Sequence, residues 1–139
     1  MFLEATFPYI VWSAFSPLAL LFLRVVLATM FIDSGRRHIS EPVKRAESLG
    51  LPVWFTILLG TVEVLGGILI AIGLLTHIAS VFLIVVMLGA IYFKLFIWRT
   101  GIYGKNNDGW YYDALLLGGV GILFAFGAGS FSLDALTHI

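Results

Sequence analysis

Four long apolar runs alternate with polar stretches along this chain. Residues 17–32, 52–75, 78–98 and 110–126 carry almost no charge, and runs of this kind predict helices that lie in lipid. Ser16-Pro17 reads as a helix start, with Ser as N-cap and Pro at the first helical position. Phe2 to Phe15, with Pro8, Tyr9 and Trp12, then reads as an interfacial segment ahead of a short first span. A longer first helix kinked at Pro17 is the alternative. Asp33 to Gly50 is the most polar stretch, and Pro42 is placed to open a short surface helix there. A turn at Thr76-His77 joins the second and third spans. The connection from Arg99 to Gly109 is polar and glycine-rich, with Asp108 placed to cap the fourth span. Gly127-Ala128-Gly129 ends that span, and Ser132 to Leu136 reads as a short capped turn on the membrane surface.

Composition turns this pattern into a class. The chain has 139 residues, 60% apolar and 12% charged, with mean hydropathy +1.04. A soluble domain is about 45–50% apolar and about 25% charged. The expected fold is therefore all-α: one integral membrane four-helix bundle over residues 1–139. The formal net charge is zero and no basic stripe is present, which removes nucleic acid as a partner. The absence of Cys excludes disulfide exchange, thiolate metal sites and iron–sulfur clusters. Glu4 and the lack of a positive leading segment argue against a signal peptide. Arg36, Arg37, Lys44, Arg45 and Lys105 fall in the first and third loops, with Lys94 and Arg99 beside them. The positive-inside rule places those loops in the cytoplasm and both termini on the non-cytoplasmic side.

Charges inside the spans are the candidate chemistry. A charged residue at a helix centre costs about 2.5–3.5 kcal/mol even on lenient insertion scales. Arg24 lies ~12 Å and Glu63 ~16 Å from the same membrane face at ~1.5 Å per residue, so the spacing predicts one buried pair between the first two helices. That pair is either a structural salt bridge or a site in which Glu63 accepts a proton or holds a ligand. Gly60 and Gly67 share the face of Glu63, and small residues there admit a neighbouring helix or a planar ligand. Lys94 and Asp113 make a second, shallower pair only ~5–6 Å deep, where snorkelling to water is the easier explanation. His77 and His138 supply two ligands and no third, so no metal site is expected.

Taken together, the residues resemble the DoxX family of small four-span membrane proteins. The resemblance rests on Leu23-Arg24 with Phe31 and Gly35, Leu49-Gly50-Leu51-Pro52, Glu63-Val64-Leu65-Gly66-Gly67 with Gly73-Leu74-Leu75-Thr76, Gly109-Trp110-Tyr111-Tyr112-Asp113, and Gly127 to Asp134. It departs at His38, where members usually carry Lys, and at Ala28, often Gly. The resemblance implies a bacterial or archaeal plasma membrane protein. Similar proteins include subunits of thiosulfate:quinone oxidoreductase and partners in membrane redox complexes. The expected function is thus a membrane subunit of a quinone-linked redox complex. In that expectation Glu63 and Arg24 are the catalytic pair, and Gly60, Gly67, Lys94 and Asp113 hold the quinone. The expected partners are membrane lipid and a redox subunit or a second copy. The rival expectation is a non-catalytic anchor or assembly subunit, in which the Arg24–Glu63 pair only holds the bundle.

Overall fold

A computed structural model describes the backbone of residues 2–106 and 108–138, with side chains from Ser13 onward. Six helices account for most of it: α1 Phe2–Ser40, α2 Pro42–Leu49, α3 Val53–Ile72, α4 Thr76–Tyr92, α5 Tyr111–Phe126 and α6 Leu133–Thr137. Among the described residues there is no strand. The segments Ser13–Ser40, Val53–Ile72 and Thr76–Ile97 are long and apolar enough to cross a membrane, and the apolar α5 is shorter. The chain is an all-α, multi-pass membrane protein.

The first helix follows the longer alternative rather than a short span starting at Pro17. It is one helix that runs through Pro17 and on past Ile32 to Ser40. Proline has no N–H, so the carbonyl four residues back loses its helical donor. The Ser16 hydroxyl donates to the Ser13 carbonyl at 3.3 Å and supplies a replacement. Tyr9 and Trp12 of the expected interfacial segment lie outside the described side chains.

Polarity is arranged inside out relative to a soluble domain. Large apolar side chains such as Phe22, Val85, Leu115 and Phe126 point outward, while Arg24, Thr56, Glu63, Thr76, Ser80 and Asp113 are buried. Outward apolar groups cost nothing in lipid, whereas buried polar ones need partners. The apolar core joins Leu27, Ala28 and Phe31 of α1 with Ile70 of α3, Leu83 and Met87 of α4, and Leu116, Val120 and Leu123 of α5.

Helices α1 and α3 are antiparallel and lie almost backbone to backbone. A Cβ at Gly35 would stand 2.5 Å from the Gly60 carbonyl, and one at Gly60 would stand 2.6 Å from the Gly35 carbonyl. Further along the seam, a Cβ at Gly67 would meet Ile32 at 2.9 Å and the Ala28 carbonyl at 3.2 Å. Small residues permit this approach where no hydrophobic effect drives helices together.

The α3–α4 turn is held by the end of the chain. Gly73 caps α3 in the left-handed region at φ 68°, and Leu75 follows at φ 49°. The turn is therefore Gly73 to Leu75, and α4 already begins at Thr76. At the far end of α4 the helix widens into a π-helical segment, Phe93–Ile97, closed by Trp98 N–H donating to the Phe93 carbonyl at 2.9 Å. Asp108 does not cap α5. Its carboxylate instead accepts from the backbone N–H groups of Lys105 and Asn106 and tightens the loop.

Candidate functional site

Arg24 and Glu63 do not form a pair. Arg24, 1% exposed, spends its donors on four backbone carbonyls. Its Nε donates to Ile70 at 2.8 Å and Nη2 to Ala71 at 2.7 Å. Nη1 donates to Ala128 at 3.0 Å and to Phe131 at 2.6 Å. The last carbonyls of any helix lack intrahelical donors, and in lipid no water supplies them. Arg24 fills that need for α3 and ties it to the segment after α5. The charge nearest in effect to its guanidinium is Asp134.

The depth estimate failed because α1 extends to Ser40 rather than stopping near Ile32. In the actual register Arg24 sits beside Ile70 and Ala71, seven and eight residues along α3 from Glu63, or ~10–12 Å. Glu63 instead lies against Gly35 and Ser34.

Asp134 is the functional-looking residue the sequence reading left on the surface. Its Oδ1 accepts from Leu75 N–H at 2.7 Å and its Oδ2 from Thr76 N–H at 3.0 Å, so it caps α4 from the other end of the chain. The Asp134 N–H donates to the Gly73 carbonyl at 2.8 Å and completes the clasp. Burial pushes this carboxyl up, but the hydrogen bonds from Thr76 and Leu75 and the nearby His77 outweigh it and hold it below its ordinary value. A cavity of about 180 Å³ opens here, lined by His77, Gly127, Gly129, Ser132 and Asp134; Glu63 does not line it. The His77 ring lies 2.9 Å from the Phe124 carbonyl.

Glu63 stands alone in a different way. It is 2% exposed, and its Oε2 has no hydrogen-bond partner among the described residues. The Ser34 hydroxyl is a neighbour of the carboxyl, and Asp113 and Arg45 are the charges it feels. Gly60 and Gly67 do share its face, as the spacing predicts. That face is filled by α1, and a planar ring has no room between the two backbones. The glycines expected to hold a quinone serve helix contact instead.

Lys94 and Asp113 are brought together. Their side chains meet at 2.6 Å and are largely buried, so this is a closed ion pair rather than two snorkelling residues. Lys94 also donates to the Gly109 carbonyl at 3.3 Å. The pair ties the π-helical end of α4 to the first turn of α5. The depth reading pairs the two but favours snorkelling, because residues near the membrane face need no partner to reach water.

Residues 19–96 match the DoxX family model, a stretch that includes Arg24, Glu63 and Lys94 but ends before Asp113 and the C-terminal clasp. An uncharacterized membrane protein of Mycobacterium tuberculosis is 31% identical over 132 residues, covering 85% of this chain and 80% of the relative. No solved structure matches the chain.

Proposed function

This chain belongs to the DoxX family, and from that premise we propose that it is a membrane subunit of a quinone-linked redox complex, with Glu63 as its proton-exchanging group. The observation that carries the reading is the Glu63 carboxyl itself. It is buried within an apolar helix, Arg24 is committed elsewhere, and Oε2 has an unused hydrogen-bonding position. An ionisable residue kept inside the membrane is by default a functional candidate.

Quinone reduction takes up protons as well as electrons. A carboxyl in the apolar layer is suited to hold and release one of them. The Gly60–Gly67 face does not fit the ring, so Glu63 is assigned the proton and no step is routed through a quinone held there. In this reading the electrons come from a bound cofactor, a soluble substrate or a partner subunit. A bacterial or archaeal plasma membrane is the setting proposed for this complex.

Replacing Glu63 by Gln keeps the shape and removes the titration. In native membranes, quinone-linked turnover of the complex should collapse while the thermal unfolding of the subunit changes little. Unchanged turnover in a well-folded Glu63→Gln protein would overturn the reading.

A second reading, an anchor or assembly subunit, is favoured by one observation. Arg24 and the Gly35–Gly60 contact serve architecture alone. Native mass spectrometry of the complex from its own membranes separates the two. A redox partner retained together with full Glu63→Gln activity would select the anchor.

A further inference from the structure

Two buried polar atoms on the α1–α3 seam lack hydrogen-bond partners among the described residues: Glu63 Oε2 and His38 Nδ1. They belong to facing stretches of the two helices. His38 packs against Gly60, where an added Cβ would stand 2.8 Å from the His38 Cβ. Glu63, three residues on from Gly60, packs against Gly35, where an added Cβ would stand 2.9 Å from the Glu63 Cβ. Ser34 lies four residues before His38 on α1, so the two share a helix face, and its hydroxyl is a neighbour of the Glu63 carboxyl. Serine both donates and accepts, which lets one hydroxyl pass a hydrogen bond onward.

Other titratable and charged groups face the same seam: Asp113 and Arg45 act on Glu63, and the Tyr112 phenol is within reach of both Glu63 and Asp113. On α5, Asp113 is neutralised by Lys94 at 2.6 Å, and the Tyr112 phenol lies beside that pair. On α1, Asp33 and Arg37 pair with each other at 2.7 Å in the exposed layer. Arg45 of α2 is the cation that acts on both His38 and Glu63. His38 itself is half-buried in the last turn of α1, flanked by exposed Arg37 and Ile39, so its ring stands between the seam and the polar end of the bundle.

We propose that His38, Ser34 and Glu63 form a proton path from the polar end of the bundle to the carboxyl inside the membrane, with His38 as the group that exchanges with water. A polar seam with several donors and acceptors is the kind of place where a bridging water completes such a path. The step is a plain transfer. An imidazolium at His38 gives its proton to the Glu63 carboxylate, leaving neutral imidazole and carboxylic acid, and His38 regains a proton from water. No electron moves and no further reactant is needed. Histidine suits the outer position because its unperturbed titration falls near physiological pH. The inference rests on Glu63 being the proton-exchanging group and is independent of which electron acceptor is used.

The test is reciprocal titration by NMR, on full-length protein in lipid nanodiscs without quinone. Selective ¹³C-glutamate labelling leaves four carboxyl signals, from Glu4, Glu41, Glu47 and Glu63, and Glu63→Gln assigns the one that matters. The His38 ring signal is assigned in the same way with His38→Gln. In the unmodified protein, the His38 signal should show a second inflection at the Glu63 midpoint. In His38→Gln the Glu63 midpoint should move by about one pH unit, the scale of coupling that makes two sites titrate as a unit. In Glu63→Gln the His38 midpoint should move by the same amount, because coupling free energies are reciprocal. A packing role for His38 against Gly60 predicts no such equality. The wild-type inflection keeps the test valid should a variant fold poorly. The path is overturned by a single His38 inflection that ignores Glu63, or by a Glu63 carboxyl that does not titrate. Reciprocal shifts alongside full Glu63→Gln turnover would sink the redox reading and leave the path standing. Absent shifts alongside lost turnover would do the reverse.

Discussion

Arg24 donates to the carbonyl of Phe131 at 2.6 Å, 107 residues further along the chain. With the bonds to Ala128, Ile70 and Ala71, it joins α1, the end of α3 and the segment after α5 at one guanidinium. Arg24→Leu should therefore leave four carbonyls without a donor in a place water does not reach. Removing one side of a buried charged network costs on the order of 3–5 kcal/mol, enough to lower the thermal midpoint of the purified protein by many degrees. Arg24→Lys should recover little, because an ammonium does not reproduce the planar fork. A near-native midpoint for Arg24→Leu would contradict the assignment.

Asp134 gives the fold a dependence on pH. Its folded value lies below the ordinary 3.8, so it contributes stability above the unfolded value. That contribution is lost as pH falls through the folded value. Unfolding followed by circular dichroism should thus show the protein losing stability from about pH 4 downward. Asp134→Asn should be less stable at neutral pH and lack that part of the acid dependence. Parallel curves for the two proteins would refute the clasp.

Lys94 and Asp113 should follow the logic of a buried ion pair. Lys94→Leu alone strands a carboxylate that is 6% exposed, and should destabilise by about 3–5 kcal/mol. Lys94→Leu combined with Asp113→Leu should restore most of the loss, since a matched apolar pair carries no desolvation penalty. A double mutant as unstable as the single one would show that the two residues act separately. Denaturant titrations of the three proteins decide the matter.

The glycines divide into two kinds. Gly35→Ala and Gly60→Ala should force the α1–α3 seam apart, because each new Cβ would stand within 2.6 Å of a facing carbonyl. Gly118→Ala has open space around it and should be neutral or stabilising by up to about 1 kcal/mol, the helix-propensity gain. Thermal midpoints measured side by side test this, and equal effects at the two kinds of site would argue against the described register.

The apolar runs, the scarcity of charge and the short-helix starts at Pro42 and Ser132 were legible in the sequence, whereas the turn read at Thr76-His77 lies at Gly73 to Leu75. The legible features follow from local physics: lipid demands uninterrupted apolar helices, and a first-position proline or a capping serine suits a helix start. By the same reasoning Glu63 stood out, since a carboxylate is conspicuous in any apolar run. Its partner was not legible. Which polar group meets which depends on the register of two antiparallel helices, and that was set by where α1 ends. The first helix runs through Pro17 and continues past Ile32 to Ser40. Sequence distance also hid the clasp. Nothing local in Asp134 points to the α4 N-terminus 58 residues earlier, and nothing local in Arg24 points to carbonyls that become donorless only where helices end. The sequence by itself determined that this chain lives in a membrane and which of its residues are too polar to be there without a reason. Only the tertiary structure decided those reasons, because in a medium without water each buried polar group takes the partner that packing brings within reach.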